Sequence, residues 1–287
     1  SDGESTISPV FIDACKKGHE LGISMAVGTN AFVLTKNRLE EVLPYLTYLR
    51  VNFSAGERKR YAEIMGVKES AFDRVCQNIK DMVEIKKRDK LGVTIGMQMV
   101  LMPKDGDQII PLAKLGKELR PDYAIIKHCS DNEDGGLGVN YEDYEKLYDL
   151  LKEAEGYSDE EYKCTIKWSK IKDKGNNGRS YQRCYGTPFF LQMSGSGMVA
   201  PCGSLFNEKY KKFHIGNICE KRFIDIWKSE KYWKVMNYLA SPKFNAQKMC
   251  ASLCLQHKVN EVLDNHVKGR IKLKKPEGSP PQHISFI

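Results

Sequence analysis

The chain has 287 residues, of which 41% are hydrophobic and 29% charged, with 45 Lys and Arg against 37 Asp and Glu for a formal net charge of +8. This is an ordinary globular composition, which excludes wholesale disorder and a fibrous architecture, and at roughly 150 residues per domain it allows about two domains. No apolar run approaches the ~18–20 residues needed to cross a bilayer, and the opening SDGESTISP has neither the basic flank nor the apolar stretch of a secretion signal. The basic excess is interleaved with acids, as in Lys86-Lys87-Arg88-Asp89-Lys90, so it makes a solvated surface and not a stripe for nucleic acid or a membrane. Nine cysteines, an odd number with no export signal in view, argue for reduced thiols or metal ligands in a cytoplasmic setting and against a disulfide framework.

In chain order, helical patterns cover 8–19, 37–45, 70–88, 106–119 and 141–154, with short β-rich runs at Ile23 to Val27, Tyr48 to Phe53, Val93 to Leu101 and Tyr123 to Ile126. The clearest helix places Phe72, Val75, Cys76, Ile79, Met82, Val83 and Lys86 at three-four spacing. Strands alternating with helices of this length call for right-handed crossovers and a mostly parallel sheet or barrel. The chain opens on a polar turn leading straight into a helix, so a preceding strand is expected to be missing and the polypeptide reads as part of a longer protein. Beyond about residue 156 the pattern changes: a strand over Tyr162 to Trp168, a Gly175 to Gly178 loop, a hairpin from Phe189 to Ala200 turned at Ser194-Gly195-Ser196-Gly197, and helices over 223–239 and 250–267. The expected domains are therefore 1–160, 161–267 and an extended tail over 268–287.

The second region carries six of the nine cysteines. Cys184 is followed by twelve residues, Gly197, four residues and Cys202, which puts two thiols at the ends of a glycine-turned hairpin. Cys250 and Cys254, four apart in an expected helix, would share one face. Two such pairs can build a tetrahedral thiolate cage, and spacing alone does not separate zinc from iron–sulfur chemistry. Cys219 reads as a free thiol, and Cys15, Cys129 and Cys164 as small packed residues.

At these cysteines the sequence resembles the SPASM and twitch auxiliary domains of radical S-adenosylmethionine (SAM) enzymes, whose signature opens with Cys, nine to fifteen residues, Gly, four residues, Cys. The segment Gly216-Asn217-Ile218, Phe223, Asp225-Ile226-Trp227 and Ser229 to Tyr232 is similar to the link between that family's cysteine groups. The resemblance implies one auxiliary 4Fe-4S cluster on Cys184, Cys202, Cys250 and Cys254. It makes the first region a partial (β/α)6 radical SAM-type barrel, an α/β fold followed by a small α+β SPASM/twitch-like domain. Ser1-Asp2-Gly3-Glu4 then resembles the Gly-Gly-Glu motif after the second barrel strand, so that Gly3 and Glu4 would hold the SAM amino group, though the residues alone also fit a capping turn before Ser8 and Pro9. The strand through Asn52 and Ser54 resembles the fourth barrel strand, which implies contacts to the SAM ribose and carboxylate, the plainer reading being polar strand-end residues. Gln98 on the next strand, and Lys127 and His128 at the mouth of the sixth, are further polar candidates.

No Cys-x3-Cys-x2-Cys triplet for a catalytic cluster occurs in the chain. Cys250-x3-Cys254-x2-His257 is near that pattern but lies at the opposite end and is paired with Cys184 and Cys202. The expectation is the C-terminal part of a radical SAM enzyme, with a second, catalytic 4Fe-4S cluster borne only by the intact protein. The resemblance implies a deoxyadenosyl radical that abstracts hydrogen from an unidentified substrate, a peptide or a sugar-type small molecule, with an electron donor as partner and the 287 residues inactive alone. The alternative is a non-catalytic ligand-binding module with a structural four-cysteine zinc site.

Overall fold

A computed structural model describes residues 3–131, 135–172, 179–250 and 254–279, which form two compact units. Ser1, Asp2, the Gly175 to Gly178 loop and the residues from Pro280 onward lie outside the described residues.

The first unit holds Gly3–Cys129 and the described residues from Val139 to Lys172. It runs α1 (Phe11–Glu20), β1 (Ala26–Thr29), α2 (Lys36–Val42), β2 (Tyr48–Asn52), α3 (Arg58–Met65), α4 (Ser70–Asp89), β3 (Thr94–Leu101), α5 (Ile109–Leu119), β4 (Tyr123–His128), α6 (Tyr148–Glu155), β5 (Lys163–Ile166) and α7 (Trp168–Ile171). The strands form one parallel sheet in the order β1-β2-β3-β4-β5. Sequential parallel strands joined by right-handed crossovers place their helices on one face. That face buries Leu49, Val51, Met97, Met99, Ala124, Ile126 and Cys164 in a single apolar core. Residues of opposite parity, including Tyr48, Arg50, Asn52, Tyr123, Ile125 and Lys127, turn to the other face and stay half-buried. This five-stranded parallel α/β sheet is the fold class expected for the first region.

The helix expected over 70–88 matches α4, whose Val75, Cys76, Ile79, Met82 and Ile85 are buried and which ends where Lys90 turns left-handed at φ 52. The opening residues of two other expected helices wind instead as tighter 3-10 turns, Pro103–Gln108 and Tyr141–Leu147. Helix α3 is not marked in the sequence, because it buries only Tyr61 and so shows no stripe. The strand over Tyr162 to Trp168 was expected in the second region. It pairs with β4 instead, Ala124 opposite Cys164 and Ile126 opposite Ile166, so the first unit extends past residue 160 to α7. Alternation marks a half-buried strand but does not say which sheet takes it.

The second unit contains a three-stranded antiparallel sheet, β6 (Gln192–Met193), β7 (Met198–Ala200) and β8 (Gly216–Asn217), then α8 (Phe223–Trp227), α9 (Glu230–Leu239), α10 (Ala246–Met249) and α11 (His257–Val267). Tyr181, Val199, Phe213, Tyr232, Leu239 and Phe244 fill its core. The expected hairpin is present, and its Gly197 takes φ 81 beside Asn217, a conformation open to glycine. The helix expected over 223–239 is broken, because Ser229 Oγ accepts the Tyr232 N–H at 3.2 Å and caps α9. The helix expected over 250–267 starts only at His257. Cys250 is extended (φ −104, ψ 144) and caps α10, so Cys250 and Cys254 do not share a helical face.

Candidate metal centre

In the second unit, Cys184 enters the core with its N–H donating to the Leu239 carbonyl at 2.9 Å. Cys202 follows β7, Cys250 ends α10 and Cys254 precedes α11. The residue that ties the Cys184 segment to Cys254 is Asn260 on α11, fully buried. Its Nδ2 donates to Cys184 Sγ at 3.5 Å and to Cys254 Sγ at 4.0 Å, while its Oδ1 accepts from the N–H groups of Tyr185 at 2.6 Å and Gly186 at 2.9 Å. The amides of Gly186 and Thr187 are further directed at the Cys184 sulfur, and those of Ser204 and Leu205 at Cys202.

All four sulfurs feel one another. Burial, reinforced by Cys184 and Cys254, pushes the Cys202 thiol up to about 12. Burial and Cys254 raise Cys184; burial raises Cys250 too, with Arg179 opposing and the other three thiols adding to the rise. Arg179 is itself buried and donates to the Ala246 and Cys250 carbonyls at 2.9 and 3.4 Å. Cys184, Cys202 and Cys250, whose thiols burial and neighbouring sulfurs hold protonated, are surrounded by N–H donors and a guanidinium and form with Cys254 a donor set suited to a cationic centre. The residues therefore fit an iron–sulfur group chemically. Among the described residues, no three His, Cys, Asp or Glu side chains meet closely enough to hold a single metal ion.

Tyr181 adds a hydroxyl within hydrogen-bond reach of Cys254 and bonds His257 Nδ1 at 3.2 Å. His257 Nε2 lies 3.3 Å from Glu261, so both ring nitrogens are engaged away from a metal. Cys219 is exposed at the hairpin, its Sγ 3.9 Å from the Ser196 carbonyl. Cys15, Cys76, Cys129 and Cys164 are buried in the first unit. Asn260 and Arg179 escaped the sequence reading. A polar residue where α11 turns to its core was the available signal for Asn260.

In the first unit, Gly3 has φ 141 and precedes Glu4, which caps the 3-10 turn Ser5–Ile7. Glu4 Oε1 accepts from Thr6 N–H at 3.1 Å, Thr6 Oγ1 at 2.6 Å and Thr29 Oγ1 at 2.8 Å, and Oε2 accepts the Asn30 N–H at 2.6 Å. Burial alone would raise its pKa, but these bonds outweigh it and hold the carboxyl below its ordinary value. Asn52 accepts from its register partner Gln98 at 3.0 Å, and Ser54 is buried just beyond β2. The loop that follows is locked by Gln108, whose Oε1 accepts the Gly56 N–H at 3.1 Å. Glu4 meets the C-terminal end of β1, and Asn52 and Ser54 stand at that of β2, the edge where parallel α/β folds bind ligands.

A parallel α/β sheet and a cysteine-rich unit are the two parts that the resemblance to radical SAM enzymes with a SPASM domain calls for. Residues 184–255 match the model of the SPASM family, described as an iron-sulfur cluster-binding domain. The chain is 23% identical over 245 residues to the tungsten-containing aldehyde ferredoxin oxidoreductase cofactor-modifying protein of Pyrococcus furiosus, covering 80% of this chain and 66% of that protein. Among solved structures it is similar to Streptococcus suis SuiB bound to S-adenosylmethionine, with TM-score 0.60, 17% identity, and coverage of 88% of this chain and 60% of that one. SuiB bound to the precursor peptide SuiA gives TM-score 0.59 at 18% identity, with coverage of 88% and 59%. Native anSMEcpe with bound AdoMet gives 0.53 at 15%, with coverage of 86% and 71%. The chain thus spans somewhat under two thirds of SuiB and of the Pyrococcus protein. No helix among the described residues is long and apolar enough to cross a membrane.

Proposed function

We propose that this chain works as part of a radical SAM enzyme that modifies a peptide, with an auxiliary 4Fe-4S cluster held by Cys184, Cys202, Cys250 and Cys254. The observation that carries the reading is the convergence of thiols from distant stretches of chain, with Asn260 bonded to Cys184 and Cys254 together. When bound, SAM supplies radical hydrogen abstraction and the cluster one-electron transfer or ligation of substrate. The protein's part is to bind and orient. Glu4 stays ionised, and its Oε2, with one protein donor against the roughly two lone pairs a carboxylate oxygen offers, has room for the SAM ammonium beside Gly3. Asn52 and Ser54 offer amide and hydroxyl groups to the ribose and carboxylate. The Asn260 amide and the N–H groups aimed at Cys184 and Cys202 stabilise thiolates and thereby raise the potential of a cluster they ligate. A peptide substrate is supported by the likeness to SuiB, and a cytoplasmic electron donor is the partner this chemistry needs.

Zinc is the weaker reading. A tetrahedral zinc on the same thiols, with bonds of about 2.3 Å, is the alternative, and the match of residues 184–255 to a family described as an iron-sulfur cluster-binding domain favours the cluster. Anaerobic reconstitution decides. About four iron and four sulfide per chain, with broad absorption near about 400 nm that is lost in Cys202→Ser and Cys250→Ser, is the expected result. Stoichiometric zinc without sulfide overturns the reading.

A further inference from the structure

The helix-free face of the parallel sheet carries a group of positive side chains that the radical chemistry leaves unexplained. Arg50 on β2 is half-buried there; its Nη1 lies 3.5 Å from the Tyr48 hydroxyl and its Cζ 5.9 Å from the Tyr48 ring centroid. Tyr48 is in turn hydrogen-bonded to Tyr123. The Arg50 Nε is buried with no hydrogen-bond partner. Gly28, opposite Arg50 in the register, has open space where a side chain would stand, so the face is not filled in front of β1. Lys127, near the C-terminal end of β4, shares this face, and Lys167 follows β5 beside it, its N–H donating to the Ile126 carbonyl at 2.9 Å.

Lys127 is brought down to about 8 by burial first and then by the positive charges of Arg50, Lys167 and Lys170, with Cys129 opposing them. Among the described residues, no carboxylate pairs with Arg50, Lys127 or Lys167. Several arginines elsewhere are matched with acids, as in Arg60 with Asp105 and Asp107, Arg88 with Glu40, and Arg120 with Asp159. Semi-buried cations such as Arg50 and Lys127, with no carboxylate bonded to them among the described residues, are costly until an anion arrives. A planar guanidinium and an ammonium on one face suit an anion that accepts several hydrogen bonds.

We infer that Arg50 and Lys127, with Lys167 at the rim, bind an anionic group of the substrate, a carboxylate or a phosphate, on the helix-free face. This rests on the reading of the chain as a substrate-modifying barrel, but its test needs neither cluster nor SAM cleavage, so the two fail separately.

The test is calorimetric titration of the 287-residue chain with glutarate, inorganic phosphate and uncharged glutaramide. One of the two anions should bind and glutaramide should not. Glutarate as the binder assigns a carboxylate, phosphate a phosphoryl group. Arg50→Gln and Lys127→Met should each weaken that binding roughly ten- to hundredfold, the worth of a charge-assisted hydrogen bond. Lys127→Arg, which keeps the charge, should retain most of it. Melting curves establish that each variant folds, and if one does not, the other and Lys127→Arg carry the comparison. Absence of binding by both anions, equal binding of glutaramide, or wild-type affinity in the folded charge-removing variants would overturn the assignment.

Discussion

Replacing Asn260 separates the structural from the electronic role of the residue at the centre of the cysteine site. In Asn260→Ala, the buried N–H groups of Tyr185 and Gly186 lose the Oδ1 acceptor they share at 2.6 and 2.9 Å. A buried donor left unsatisfied costs about 1–3 kcal/mol, so the pair amounts to about 2–6 kcal/mol. In a domain of this size that corresponds to a fall of roughly 5–20 °C in melting temperature. Asn260→Asp keeps an acceptor for both amides but turns a carboxylate, in place of an N–H donor, toward Cys184 and Cys254. It should melt closer to wild type yet take up less iron and, where a cluster assembles, show a lower reduction potential. The assays are circular dichroism melts and anaerobic iron and sulfide analysis, followed by a potentiometric titration. If Asn260→Ala melts within about 2 °C of wild type, or Asn260→Asp loads iron at an unchanged potential, the bonds assigned to Asn260 are not what organises the site.

The Glu4 carboxyl is held below its ordinary value by bonds that exist only in the fold, so the stability it adds is present above the unfolded pKa and disappears as pH falls through the lower folded value. Acid titration of stability should therefore be steeper in wild type than in Glu4→Gln, with the difference confined to pH below about 4.5; parallel acid limbs would contradict it. At Gly197, φ is 81 and an added Cβ would stand 2.6 Å from Asn217 Oδ1, so Gly197→Val should cost about 1–3 kcal/mol, read as a lower chemical-denaturation midpoint. Cys219→Ser should leave iron and sulfide content unchanged, because its exposed sulfur faces the Ser196 carbonyl and not the other thiols; a loss equal to that of Cys202→Ser would bring Cys219 into the ligand set.

Much of the barrel was legible because its strands and long helices obey strict periods. The stripe along α4 and the apolar runs of β2 and β3 could hardly be read otherwise. What escaped was decided by tertiary context. The partner of β5 depends on which sheet offers an open edge, and α3 has a single buried side chain, Tyr61, to announce it. For the cysteine site, spacing named the four thiols but attached Cys250 and Cys254 to a helix that begins only at His257. Helical period fits almost any polar-apolar stretch, whereas the extended backbone at Cys250 is set by its place after α10. Asn260 and Arg179 had no motif to mark them, since their roles consist of bonds across 67 to 76 positions of sequence.

Those separations also fix when the centre can form. Cys184 waits on a partner 76 positions downstream, so a nascent chain has synthesised nearly all of the second unit before α11 can bring its amide to the sulfur. Closing so long a loop adds little entropy beyond that of a shorter one, and it is offset only when the helix docks. On the proposed reading, iron delivery is accordingly a late event, and a ribosome stalled before residue 260 would present exposed thiols to whatever oxidant or stray metal the cell contains.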